Sequence, residues 1–224
     1  MFSFELLTNS DGLNMLASPR EERIGAWAGV VALLCYFSAA FLPLPDEFGR
    51  LLGFSFGPLF IVSFLGIHAA LNGDADGIAL RVGVIFGVIA GAVVTTLLTI
   101  QIGNQMWLDQ AITTSVGAEE VAAAQMLWEA VNRVQALMDV SWDIFLSSGA
   151  ALIGVSMVSS ARFGPLWGWL GILSALLLLT LNLYTFPRGP AYVGLVDVGP
   201  ILALWFGAVY VRIILFGTAP ETHR

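Results

Sequence analysis

Three polar residues of this chain, Asn132, Asp139 and Asp143, are spaced seven and four residues apart and therefore fall on one face of a predicted helix. Carboxylates one helical turn apart could share a proton or a divalent cation, although plain solvated residues often show the same spacing. Asp143 is predicted about one turn inside an apolar helix, where a charge usually faces the bundle interior or a water-filled cavity. This polar face is therefore a candidate site.

Further polar residues are expected on the same side of the membrane. They are Asn182 and Tyr184 near the end of the fifth apolar run, and Arg188 and Asp197 in the connection that follows it. If the helices form a bundle, these side chains join Asp139 and Asp143 around one outward-facing polar pocket for a small molecule, a lipid or a cation. In the alternative interpretation they are architectural, with Asp197 as the N-cap of the sixth helix and Tyr184 and Arg188 at headgroup depth. If these residues do surround one pocket, Asp143 and Arg188 could form an ion pair, which is a testable hypothesis.

The basic residues and the single cysteine exclude several kinds of cofactor. All nine basic residues are arginines, so no lysine is available for a retinal or pyridoxal Schiff base or for a phosphate-binding loop. Cys35 is the only cysteine, which rules out an intramolecular disulfide and a thiolate-ligated iron–sulfur cluster. The sequence also has no HExxH, GxSxG or P-loop motif. No enzyme class is indicated, and chemistry on lipid head groups through Asp139 and Asp143 is the least favoured interpretation.

One histidine, His68 in the second apolar run, is placed where it could bind a pigment or a metal. Haem held by two histidines needs a second axial ligand, and the other histidine, His223, lies at the C-terminal end. We therefore predict no cofactor and no metal site. His68 is interpreted as a packing or interfacial residue, with a single pigment or metal ligand as the alternative.

The composition indicates that this chain folds in a bilayer. Hydrophobic residues make up 58% of it and charged residues 11%, and the mean hydropathy is +0.85, whereas a soluble domain has about 45–50% apolar and about 25% charged residues. About 20 apolar residues cross the hydrocarbon core, and six such runs are present at 24–42, 48–72, 78–102, 140–159, 165–184 and 198–216. The predicted fold class is all-α, a polytopic membrane bundle of six transmembrane helices.

The long connection 103–139 is predicted to be helical. From Ala118 onwards, apolar residues recur every three or four positions on one face, namely Ala124, Leu127, Val131, Val134 and Met138. No proline or glycine separates this pattern from the fourth span, so we expect a long amphipathic helical extension before it, either continuous with the span or bent near Ser141. The predicted domains are an interfacial or flexible segment 1–17, a six-span membrane domain 18–216 that includes 103–139, and a tail 217–224.

The arginines predict how the chain is oriented. With six spans both termini lie on one side, which carries six arginines against three on the opposite side. Because cytoplasmic loops are enriched in basic residues, both termini are predicted to be cytoplasmic. The opposite side carries nine of the 16 acidic residues, so the outer surface is expected to be acidic. The net charge of −7 argues against nucleic acid as a partner.

Glycines at four-residue spacing mark possible helix contacts. Gly83, Gly87 and Gly91 form two overlapping GxxxG patterns on the third span, and Gly25 and Gly29 form another on the first. Small residues at this spacing let helices in a bilayer approach closely, either within one chain or in a homo-oligomer or a complex with another membrane protein. The predicted function is a non-catalytic accessory subunit that binds such a partner through these faces. The alternative is a small transporter or receptor that uses the outward-facing pocket.

Three stretches of the sequence are similar to segments of known membrane proteins: SPREERIGAWAG (18–29), FGPLWGWLG (163–171) and TFPRGPAYVGLVDVGPILALW (185–205). With them the chain resembles a group of uncharacterised bacterial six-helix integral membrane proteins, a family defined by a domain of unknown function. The resemblance implies a six-helix fold and a multi-pass location in the bacterial inner membrane, and it implies no reaction. This chain departs from the group in having no lysine and in its acidic outer helix.

Overall fold

The protein is seen in a computed structural model that describes residues 19–75, 77–115 and 117–216. Its six α-helices are α1 (Pro19–Phe41), α2 (Asp46–Leu71), α3 (Ile78–Thr114), α4 (Ala118–Ser159), α5 (Gly164–Thr185) and α6 (Gly199–Phe216), with one turn of 3₁₀ helix at Pro190–Val193. Those three ranges contain no β-strand. The predicted segments 1–17 and 217–224 lie outside the described residues.

All six helices are long and apolar enough to cross a membrane. The chain is therefore a multi-pass membrane protein, and the predicted all-α six-helix bundle is confirmed.

Local chemistry sets the helix boundaries. α1 begins at Pro19, whose missing N–H has no helical partner in the first turn, and it ends shortly before Pro43. Gly73 and Gly164 have φ angles of 87° and 76°, a left-handed conformation that glycine adopts readily where the chain leaves α2 and enters α5.

The third and fourth helices are much longer than a membrane span requires. α3 has 37 residues and α4 has 42, or about 55 and 63 Å at 1.5 Å per residue, against a hydrocarbon core of about 30 Å. The extension predicted before the fourth span is present, and α4 runs through Ser141 without interruption. α3 continues without a break from the predicted third span, 78–102, into the connection and ends at Thr114. Residues 103–114 and 118–139 together form an antiparallel helical pair, which we call the hairpin.

The two ends of the bundle differ in what they carry. Because the chain crosses six times, α1 begins and α6 ends on the same side, together with the α2–α3 and α4–α5 connections. We call this side the termini end. The opposite side, the hairpin end, carries the hairpin and the α1–α2 and α5–α6 connections.

The five glycines predicted to mediate packing all contact neighbouring helices of the same chain. A methyl group at Gly25 would lie 2.3 Å from Cα of Gly66, so α1 and α2 touch backbone to backbone. The other four glycines face, in turn, the Tyr210 ring (Gly29), the Gly149 carbonyl (Gly83), the Phe64 ring (Gly87) and the Ile61 side chain (Gly91). These faces are therefore filled inside the bundle.

Aromatic side chains join α2 to α6 in the core. The rings of Phe60, Phe64 and Phe206 meet edge to face, with centroids 4.9, 5.8 and 5.4 Å apart. Next to them the Tyr210 hydroxyl lies 2.7 Å from Oγ of Ser63. Both hydroxyls are buried, and each satisfies the other, as a polar group in an apolar interior requires.

At the termini end, Asp74 holds the α4–α5 connection. Its carboxylate accepts hydrogen bonds from the Ser160 hydroxyl and from the backbone N–H groups of Ala161 and Arg162, the last two at 3.2 and 3.3 Å. The Ser160 hydrogen bond is the largest cause that keeps the pKa of Asp74 below its usual range. The Arg162 carbonyl in turn accepts a 2.6 Å hydrogen bond from Nη2 of Arg212, so α6 is tied to the same connection.

Candidate functional site

A cavity of about 820 Å³ lies at the hairpin end between α1, α2, α3 and α4. Gly189 of the α5–α6 connection completes its lining. Four apolar lining residues are at most 5% exposed, namely Phe56, Val94, Leu97 and Val140. The volume falls in the range of small-molecule sites, about 300–1,000 Å³.

Three aromatic rings form the inner part of this lining, which we call the aromatic floor. Tyr36 of α1 lies 4.9 Å from Phe56 of α2 between ring centroids, and Trp142 of α4 lies 6.5 Å from Tyr36 and 6.4 Å from Phe56. Contacts at these separations are favourable in tilted and edge-to-face arrangements. Each ring comes from a different helix, so the floor exists only when the three helices are assembled.

Carboxylates from three helices also line the cavity: Asp46 of α2, Asp109 of α3 and Asp139 of α4. Asp109 accepts a 2.9 Å hydrogen bond from Nε2 of Gln105. Asp139 is exposed and forms no hydrogen bond or ion pair with any other residue that the structure describes. Its carboxylate is therefore available to a ligand.

The electrostatic balance around the cavity is negative. One arginine, Arg50, joins the three carboxylates in the lining, and its guanidinium lies 3.7 Å from the exposed carboxylate of Glu47. Beyond the lining, Asp197 is close enough to Asp139 and to Tyr36 to interact with them electrostatically. A positively charged group is therefore favoured in this space.

An asparagine pair fixes the wall of the cavity where the hairpin begins. Nδ2 of Asn104 donates to Oδ1 of Asn132 over 3.0 Å and to the Trp128 carbonyl over 3.1 Å. Asn104 is 6% exposed, so these bonds satisfy an amide that would otherwise be buried without partners. Asn132 was predicted from its position on the polar face of α4, and it lines the cavity together with Asp139.

Asp143 and Asn182 meet between α4 and α5. The Asn182 side chain is close enough to Asp143 to interact with it, and its Nδ2 donates a hydrogen bond to the Leu178 carbonyl over 3.1 Å. Asn182 is 3% exposed and Asp143 is half-buried. The two residues therefore lie side by side between α4 and α5, outside the lining of the cavity.

The remaining predicted residues of the pocket lie apart from the cavity lining. Oδ1 of Asp197 accepts a 2.8 Å hydrogen bond from the Gly199 N–H, so Asp197 orders the start of α6. Tyr184 is 80% exposed, and Arg188 is exposed as well. Within the described ranges, Arg188 forms no ion pair with Asp143, so the hypothesised pair is not formed.

His68 and Cys35 show no arrangement typical of a cofactor site. His68 is half-buried on α2, and Cys35 is a buried free thiol. Across 19–75, 77–115 and 117–216, no group of three or more histidine, cysteine, aspartate or glutamate side chains is placed to hold a metal ion.

The aromatic floor was not among the predicted site residues. Tyr36, Phe56 and Trp142 lie in apolar runs, where spacing does not distinguish a ligand-facing ring from a packing or interfacial one. Asp46 and Arg50 did offer a usable signal, because charges four residues apart at the start of a span share one helical face.

Comparison with known proteins found no matching family model, no similar curated protein and no similar solved structure. The structure thus defines a class, a multi-pass membrane protein with a polar and aromatic cavity at one end.

Proposed function

We propose that this chain is a membrane receptor or small transporter that binds a small solute in the cavity at the hairpin end. The observation that carries the proposal is the cavity itself, about 820 Å³ lined by carboxylate, amide and aromatic side chains from four helices. Charged groups within a membrane bundle are unfavourable unless they face water, a ligand or one another. The predicted glycine faces do not support a docking role, because other helices of the same chain fill them.

Binding is tested with a variant that fills the cavity. Ala136 lines the cavity, whereas the exposed Ala130 lies on the same helix outside it. Thermal stabilisation by a library of small solutes should be found for the native protein, retained in Ala130→Phe and lost in Ala136→Phe. If no solute stabilises the native protein, or if Ala136→Phe responds like Ala130→Phe, the proposal fails. Uptake into proteoliposomes then separates a transporter from a receptor.

We further propose that the protein resides in the bacterial inner membrane, with the hairpin end facing away from the cytoplasm. The excess of arginines at the termini end supports this orientation. In a Cys35→Ala background, an impermeant thiol reagent applied to intact cells should label Ala136→Cys at the cavity and spare Ala161→Cys at the termini end. Labelling of Ala161→Cys alone would reverse the orientation.

A second candidate, an accessory subunit, is favoured by exposed apolar side chains on the hairpin. Trp107 of α3 is 74% exposed, and Met126 and Leu127 of α4 are 72% and 69% exposed. Large apolar residues at a protein surface are typical of contacts with another protein. A partner that co-purifies from mild detergent and is lost in Trp107→Ser with Leu127→Ser would support this role, and a partner retained by that variant would argue against the hairpin as its binding surface.

A further inference from the structure

We infer that the ligand of this cavity is an organic cation, an ammonium group that carries apolar substituents. The inference rests on the proposed function, because it names the class of solute that the same cavity binds. Three features of the cavity support it: the charges of its lining, the aromatic floor and the volume of the space.

The charges select the sign of the ligand. Three carboxylates and one guanidinium line the cavity, and the guanidinium of Arg50 lies near Glu47. Asp109 is engaged by Gln105, whereas Asp139 has no hydrogen-bonding partner among the described residues. An anionic solute would meet an excess of negative charge here, and a neutral solute would leave Asp139 uncompensated.

The relation between Asp139 and Trp142 selects an ammonium group. The two residues are three positions apart on α4, so their side chains are neighbours on one face, about 5–6 Å apart at Cβ. Tryptophan offers the most favourable ring face for a cation, and Tyr36 adjoins Trp142 in the aromatic floor. A cation held by Asp139 would thus contact π-electron density on its inner side.

The size and depth of the cavity select apolar substituents. A bare inorganic cation would occupy only a small part of about 820 Å³. Beside the aromatic floor the lining includes buried apolar side chains such as Val94 and Leu97, which offer no oxygen ligands to such an ion. Alkyl or aryl groups on the nitrogen would instead contact this apolar surface and remove it from water.

The test uses three probes of nearly the same shape and different charge: choline, its neutral carbon isostere dimethylbutanol, and the isosteric anion dimethylbutyrate. Binding to the full chain in nanodiscs is measured by calorimetry at neutral pH. We expect saturable binding of choline, and binding at least roughly tenfold weaker for the alcohol and the anion, because the Asp139 contact is lost.

Variants tie this selectivity to the cavity. Asp139→Asn removes the charge from an exposed side chain, so it should fold normally and weaken choline binding roughly tenfold. Glu129→Gln removes a carboxylate from the hairpin outside the cavity and should leave choline binding unchanged. Trp142→Leu should weaken the binding of choline more than that of the neutral alcohol, a charge-dependent loss that a merely structural tryptophan would not produce.

The outcomes separate this inference from the proposed function. If the alcohol or the anion binds as tightly as choline, and Ala136→Phe abolishes that binding, the cavity is a binding site but its ligand is not selected as a cation. If Asp139→Asn binds choline as the native protein does, the inference is likewise overturned. If none of the three probes binds saturably, the inference fails, and the solute library then decides the proposed function separately.

Discussion

Arg162 donates a hydrogen bond from Nη1 to Oε2 of Glu22 over 2.8 Å, and this ion pair joins the first turn of α1 to the α4–α5 connection. The side chains of Arg162 and Glu22 are only 14% and 6% exposed. The same guanidinium donates to the carbonyls of Ala70 over 3.2 Å and Ile213 over 3.4 Å, near the ends of α2 and α6. One arginine therefore joins the first, second and sixth helices to the α4–α5 connection at the termini end.

Replacing this arginine should destabilise the bundle strongly. Arg162→Met would leave Glu22 buried without its partner, and such a loss typically costs about 3–5 kcal/mol. The double variant Arg162→Met with Glu22→Leu should recover part of that loss, because no buried charge remains. Unfolding free energies in detergent provide the measurement.

The exposed ion pair of the hairpin supplies a matched control for Arg162. Arg133 and Glu129 are 3.9 Å apart with side chains 83% and 63% exposed. Arg133→Met should therefore change the stability by less than about 1 kcal/mol. Equal losses in Arg133→Met and Arg162→Met would show that the buried pair has no special role.

The hydrogen bonds of Asp74 should make the stability of the termini end depend on pH. Its pKa is lower in the folded protein than its ordinary value of 3.8, chiefly because of the Ser160 hydroxyl. A carboxyl of this kind stabilises the fold fully above its ordinary pKa, and the contribution is lost as the pH falls through the folded pKa. The melting temperature of the native protein should therefore exceed that of Asp74→Asn at neutral pH, and the difference should shrink below about pH 4. Ser160→Ala should also reduce the difference, whereas a gap that is constant down to pH 2 would contradict the assignment.

The helices could be predicted from sequence because most of their signals are local. Apolar runs and the uninterrupted pattern from 118 to 159 are properties of the chain itself. The sequence predicted a helical connection 103–139, but it did not predict that α3 runs through Gly103 without a break, because Gly103 and the polar residues after Ile102 are typical of the end of a span. In the structure that segment is helical because it packs against α4 and because Asn104 is bonded across the hairpin, which is tertiary information.

The site could be predicted only where a polar residue stood out against an apolar background. Asp139 stood out in this way, and the structure places it in the cavity. Tyr36 and Phe56 did not, because their role depends on three helices meeting. Arg188 and Asp143 were expected to pair from their charge and common membrane side, but that reasoning cannot fix the direction in which a connection turns its side chains.

The hydrogen bonds of Asn104 to Asn132 and Trp128 should stabilise the packing of the two hairpin helices against each other. Asn104→Leu keeps a side chain of similar size but removes both hydrogen bonds to the opposite helix, and each such bond contributes about 0.5–1.5 kcal/mol. We expect faster hydrogen exchange of backbone amides in 103–114 and 118–139, with little change in α5 and α6. Gln110→Leu, an exposed change elsewhere on the hairpin, is the control. Unchanged exchange in Asn104→Leu would show that other contacts hold the two helices together.

The contact between Gly25 and Gly66 should tolerate no side chain, whereas another helical glycine should. A methyl group at Gly66 would lie 2.5 Å from Cα of Gly25, and since both groups belong to the backbone, α1 and α2 would have to separate. Gly66→Ala is therefore expected to destabilise the protein by about 1–3 kcal/mol or more. Gly103, inside α3, has no heavy atom within 4 Å of the added methyl group, and Gly103→Ala should stabilise the protein by about 0.5–1 kcal/mol through helix propensity. Thermal unfolding curves of the two variants, each compared with the native protein, should show a lower melting temperature for Gly66→Ala and a higher one for Gly103→Ala. A stabilising effect of Gly66→Ala would mean that α1 and α2 are not packed as the structure shows.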